Sequence, residues 1–230
     1  MRYLEASRPF PMPHQASHDG EAREEVAPRS RSVSDLVLHS RLTLPEVPAR
    51  VRLDWQREVS RHLQLEAGQV EVMPLARTQA RWPQYRQCVQ AASDWTRGLG
   101  LNNLLKESDM ALMACRGAGL HHDGGQYGAF AFCNLFLSED CGLDLHFVAT
   151  GVRIALGRGT VVLFDTYQPH TVLVRDRARF EASDFSGERD LTQVFLTWEL
   201  PIGHPQLAHV LGIEWDGRAS SVASAPPARP

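Results

Sequence analysis

After Lys106 the apolar residues of this 230-residue chain change period, from the three-and-four spacing of helices to the alternation of strands. Seven short segments rich in Val, Ile, Leu, Thr and Phe follow, at 111–116, 129–137, 143–149, 152–156, 160–164, 170–175 and 191–200, with Gly, Asp, Ser and Pro between them. So many strands in about 90 residues require a sandwich or a small closed barrel, because a lone sheet would leave one apolar face in water. Ahead of them the pattern predicts a helix over 54–65 and a stronger one over 83–97. In the second, Tyr85, Cys88, Val89, Ala92 and Trp95 share a face, Pro83 suits a first turn and Gly98 suits the stop. The expected fold is mainly β with N-terminal helices, a double-stranded β-helix (jelly-roll, cupin-like) core.

One domain is expected over 33–215, with a helical buttress over about 50–105 and a jelly-roll core over about 110–200. Residues 1–32 and 216–230 are polar and rich in Pro, Ser and Arg, and read as disordered tails that bury too little apolar surface to offset ordering entropy. The formal net charge of −3 gives no basic surplus, which argues against nucleic acid as a partner. Of 24 basic residues only Lys106 is lysine, so cationic tasks fall to arginine, whose planar fork suits bidentate capture of a carboxylate. Cys88, Cys115, Cys133 and Cys141 lack CxxC spacing and read as reduced packing thiols. No N-terminal basic-then-apolar leader is visible, and no run approaches the roughly 18 apolar residues of a membrane helix. A soluble, cytoplasmic protein with no membrane partner is expected.

The chemistry is concentrated in Gly119-Leu120-His121-His122-Asp123-Gly124 and in Gln168-Pro169-His170. On an extended strand His121 and Asp123 point to the same side and His122 to the other. A neighbouring strand could bring His170 beside them. Two neutral imidazoles and one carboxylate on three adjacent positions leave three others open, the arrangement that suits non-haem Fe(II).

These residues, followed by Asn134-Leu135-Phe136-Leu137-Ser138-Glu139-Asp140-Cys141-Gly142-Leu143-Asp144-Leu145, Gly159-Thr160-Val161-Val162-Leu163-Phe164 and Pro169-His170-Thr171-Val172, resemble the prolyl-hydroxylase-like branch of the Fe(II)/2-oxoglutarate-dependent oxygenases. The resemblance covers about residues 110–200. It implies that His121, Asp123 and His170 are both metal ligands and catalytic residues, with Fe(II), 2-oxoglutarate and O₂ as cofactor and cosubstrates. The expected outcome is hydroxylation of an unactivated C–H bond with release of succinate and CO₂. The carboxylate at 123 argues against halogenation, since halogenases of this class carry a small residue there.

The resemblance also calls for a cation at the far carboxylate of 2-oxoglutarate. Arg189, six residues before Phe195, is the first choice, although it lies 19 positions past His170; Arg179 is the second. Asn134, polar within an apolar strand, is the candidate for a neutral contact to cosubstrate or substrate. Gln126 and Tyr127 could line the substrate mouth. A small-molecule or amino-acid-like substrate is expected, with a protein side chain as the other choice; oligomeric state is left open. Two further readings stand beside this one: a cupin-type metalloenzyme without 2-oxoglutarate, and a catalytically silent jelly-roll that binds a ligand.

Overall fold

A computed structural model describes residues 31–187 and 189–215. Its elements run β1 (Val37–Arg41), α1 (Ala49–Arg57), β2 (Val70–Met73), α2 (Leu75–Arg81), α3 (Tyr85–Gly98), β3 (Asp109–Cys115), β4 (Ala118–His121), α4 (Gly124–Tyr127), β5 (Phe130–Phe136), β6 (Leu143–Phe147), β7 (Val152–Ala155), β8 (Thr160–Asp165), β9 (His170–Val174), β10 (Gln193–Pro201) and α5 (Pro205–Val210). The strands form a six-stranded sheet in the order β1-β8-β5-β10-β3-β2 and a four-stranded sheet in the order β4-β9-β6-β7. Every pairing is antiparallel. Two facing antiparallel sheets with helices stacked outside the larger one are the expected double-stranded β-helix with its buttress.

Strand alternation sorts the core into two layers. On the outer face of the large sheet, Leu112, Ala114, Cys133, Leu135, Leu163, Leu196, Trp198 and Leu200 are buried with Val51, Trp55, Trp82, Cys88 and Ala92 of the helical segment. Their sequence neighbours turn inward, where Phe136, Phe164 and Phe195 meet Leu143, Leu145 and Phe147 of the small sheet. Such a two-sided sheet buries apolar side chains on both faces, which explains the near-continuous apolar strands. Where a strand carries a polar residue on the inner face, that residue therefore has a reason to be there.

The seven predicted strands are present with ends shifted by at most two residues. Three further strands, β1, β2 and β4, and the helices α2, α4 and α5 were not expected. The first predicted helix begins earlier, at Ala49, and closes in a π-helical turn over Glu58–Leu63 that ends at Gln64 with a left-handed φ of 50°. The proposed tails at 1–30 and 216–230 lie outside the described residues. Arg31 and Ser32, placed in the tail by composition, are instead tied down. The Arg31 guanidinium forks onto both Asp165 oxygens at 2.7 and 2.8 Å, and Ser32 N–H donates to the Glu214 carbonyl at 2.9 Å. Among the described residues no helix is long and apolar enough to cross a membrane.

Candidate metal centre

The two histidines meet because β4 and β9 are neighbours in the small sheet, with His121 directly opposite His170 in the register. Cross-strand partners hold their Cβ atoms about 5 Å apart. Here the ring centroids lie 4.4 Å apart at 54°. The third donor arrives by a turn. β4 ends at His121 after a bulge, and Asp123 stands at the head of α4 with φ −95° and ψ 0°. Its N–H donates to the Thr166 carbonyl at 2.8 Å, and its own carbonyl accepts from the Tyr127 N–H at 2.8 Å. The expectation of an extended His-x-Asp strand is corrected on this point: the backbone folds over after His121, yet brings the carboxylate to the same side. Gly124 must lack a side chain, because a Cβ there would collide with the Tyr167 ring. His122 turns away as expected and stacks on Tyr167 at 5.8 Å.

The donor atoms of His121, Asp123 and His170 all lie within 4.8 Å of one another. Each imidazole Nε2 is 3.6 Å from a different Asp123 oxygen. Their other nitrogens are committed: His121 Nδ1 donates to the Gly119 carbonyl at 2.7 Å and His170 Nδ1 to the Gln168 carbonyl at 2.9 Å. A carbonyl oxygen only accepts, so Nδ1 carries the proton and the Nε2 lone pairs point at the shared space. Burial lowers the His170 pKa, outweighing the raising effects of the Gln168 carbonyl and Asp123. The ring is held neutral, the state in which it ligates a metal. Phe164 and Phe147 wall it in, with centroids 5.0 and 5.7 Å away. Two neutral nitrogens, one carboxylate and a dry rear wall fit a divalent ion with vacant positions, and Fe(II) is the ion that this donor set suits.

A cavity of about 330 Å³ opens in front of the three donors. Asn134 lines it, 9% exposed, with an Oδ1 that has no hydrogen-bond partner among the described residues. Tyr127 and Gln126 line it too, as does the inner face of β10 through Phe195, Thr197 and Glu199. The strand parity that makes Thr197 and Glu199 inward residues was legible in the sequence; the aromatic pair Phe195 and Trp198, which lie on opposite faces, obscured it.

Neither candidate arginine reaches this cavity. The described residues between β9 and β10 do not lead straight from one strand to the other; 176–187 are charged and contain a 3₁₀ turn at Ala182–Phe185. Its Phe185 and Phe180 rings pack at Gly117. Strand β10 then begins only at Gln193, so Arg189 lies before the inward-facing register starts. Arg189 lines a separate cavity of about 970 Å³, with Arg52, Arg116 and Asp190. Arg179 has an 86% exposed side chain that pairs with Glu181. The first inward residue of β10 is Gln193, whose Nε2 donates to Glu139 O at 3.2 Å and Cys141 Sγ at 2.9 Å. Among the described residues, no lysine or arginine lines the cavity of the metal donors.

No protein-family model matches the chain and no curated protein matches it. Solved structures do. A prolyl-4-hydroxylase from Pseudomonas putida aligns over 74% of this chain and 94% of its own, at 18% identity and a TM-score of 0.41. A collagen prolyl hydroxylase of Paramecium bursaria Chlorella virus-1, solved with 2-oxoglutarate, aligns over 71% and 94% at 12% identity and 0.41. A non-haem α-ketoglutarate-dependent epimerase from nogalamycin biosynthesis aligns over 84% and 88% at 13% identity and 0.36. At these values the reading of the site rests on its own geometry.

Proposed function

We propose that this chain is a non-haem Fe(II) oxygenase with 2-oxoglutarate as cosubstrate, hydroxylating a C–H bond of a small molecule in a cytoplasmic setting. The observation that carries the reading is the convergence of His121, Asp123 and His170 on one point, with both Nδ1 atoms already bonded to backbone carbonyls. Bound there, ferrous iron with an oxo-acid cosubstrate supplies the activation of O₂ needed to attack an unactivated C–H bond. The chain's own residues supply the setting. Asp123 provides the one anionic donor, Phe147 and Phe164 keep water from behind His170, and the cavity has the volume of a small-molecule site.

The fit to 2-oxoglutarate is uneven along its length. A 2-oxo acid needs two adjacent open metal positions, and three protein donors leave them. For its far carboxylate the cavity lining offers no lysine or arginine among the described residues. Weak binding, held mainly through the metal, is the expected consequence. That same lack of a cation favours the cupin-type reading, in which the metal works without 2-oxoglutarate.

Anaerobic titration of the Fe(II)-loaded protein with 2-oxoglutarate separates the two. A visible charge-transfer band, followed by succinate on admission of O₂, supports the oxygenase; both should vanish in Asp123→Ala. Stoichiometric iron with neither band nor succinate would favour the cupin-type enzyme or a binding protein.

A further inference from the structure

The fixed charge around the metal cavity is of one sign. Glu71, Asp123 and Glu199 line it without a lysine or arginine among the described residues. Asp123 belongs to the metal, but Glu199 does not. It lies on the inner face of β10 two residues from Thr197, and the register sets Thr197 opposite Asn134 and Glu199 opposite Phe132 on β5. These side chains therefore share one patch of wall. The Tyr127 ring packs on Phe132 with centroids 5.0 Å apart. Tyr127 and Glu199 line the same cavity. The Glu199 pKa is raised by burial and by Asp109, and no ion pair neutralises the group among the described residues.

A second observation points to a ligand. Asn134 is nine-tenths buried, faces the same cavity, and its Oδ1 has no donor among the described residues. A buried acceptor left without a partner is costly, so native folds keep such groups where something completes them. A carboxylate, an orphan amide oxygen, a hydroxyl and two aromatic rings on one wall form a receptor for N–H donors bearing positive charge. An anion placed there would meet Glu199.

We propose that the substrate of this site carries a protonated amine, which pairs with the Glu199 carboxylate, donates N–H bonds to Asn134 Oδ1 and Thr197 Oγ1, and rests against Tyr127 and Phe132. The assignment deepens the oxygenase reading and rests on it for the reacting centre, while the amine contact stands on the wall itself. Glu71 at the exposed edge strand β2 adds a field that draws cations toward the mouth.

The test is calorimetric titration of the full-length protein, Zn(II)-loaded and metal-free, at pH 7 with n-pentylammonium and with its neutral counterpart 1-pentanol. The expected result is that the ammonium binds at least about tenfold more tightly, the scale of a charge-assisted contact, and that Glu199→Gln removes the difference. The variant should keep the wild-type zinc content and circular dichroism. Equal binding of the two probes, binding of neither, or a preference that survives Glu199→Gln overturns the proposal. Failure of the metal reading would look different: no stoichiometric zinc in the wild type, with the ammonium preference in the metal-free protein still deciding the amine contact.

Discussion

Asp123 supplies the only negative charge among three donors that are otherwise neutral, so its loss should cost the site most. Asp123→Ala is expected to reduce bound Fe(II) from one per chain to near none, measured by metal analysis after gel filtration, with the circular dichroism unchanged. His121→Ala should act the same way, since its ring has no packing duty comparable to that of buried His170. Arg189→Ala and Arg179→Ala should leave the 2-oxoglutarate dissociation constant within about twofold of wild type, as for residues remote from a site. A large loss in either would mean that the charged loop closes over the cavity. The triad was readable from the order and spacing of the motifs that carry it, although Asp123 stands at the head of α4 and not on the strand. The arginines were not, because nothing periodic in residues 176–190 says where inward-facing register resumes, and a shift of one residue exchanges the two faces of a strand.

Among the elements, the end of β8 is the most heavily tied. Asp165 is fully buried; it accepts two bonds from Arg31, the Ser34 N–H at 3.0 Å and the Tyr167 N–H at 3.1 Å. The Arg31 guanidinium also lies 5.0 Å from the Tyr167 ring centroid. This knot fixes the turn between β8 and β9, and with it Thr166, whose carbonyl holds Asp123. Asp165→Ala leaves a nearly buried guanidinium unpaired and should cost about 3–5 kcal/mol in urea unfolding. A loss under about 1 kcal/mol would show the pair to be solvated. Composition alone assigned Arg31 to a tail, because an ion pair across 134 positions leaves no local mark. The short strand β4 escaped notice for a related reason: it holds four residues, one of them Gly119, and follows Gly117 at a φ of 71°. Only its partner β9 makes it a strand.

At the scale of the whole molecule, two apolar layers share one sheet, and thiols are buried in both. Burial pushes Cys88, Cys115 and Cys133 up to about 12. An unfolded thiol titrates near about 8.5, so the folded values are raised, and the stability these groups contribute is complete below that pH and is lost as pH climbs toward 12. The thermal midpoint should therefore fall steeply above about pH 9, and the three thiols should resist a thiol-specific reagent at pH 8 until denaturant is added. Rapid labelling of all four in the native protein would contradict the two-layer core. Seven of the ten strands and the helices α1 and α3 were legible from period and turn residues, since two-sided burial imprints itself on the longer strands. The polarity of the cavity emerged only when β5 and β10 were set side by side. The most direct measurement is anomalous diffraction at the iron edge from crystals grown anaerobically with Fe(II). One peak per chain is expected, bounded by His121 Nε2, an Asp123 oxygen and His170 Nε2; a peak elsewhere, or none at full iron occupancy in solution, would contradict the metal site.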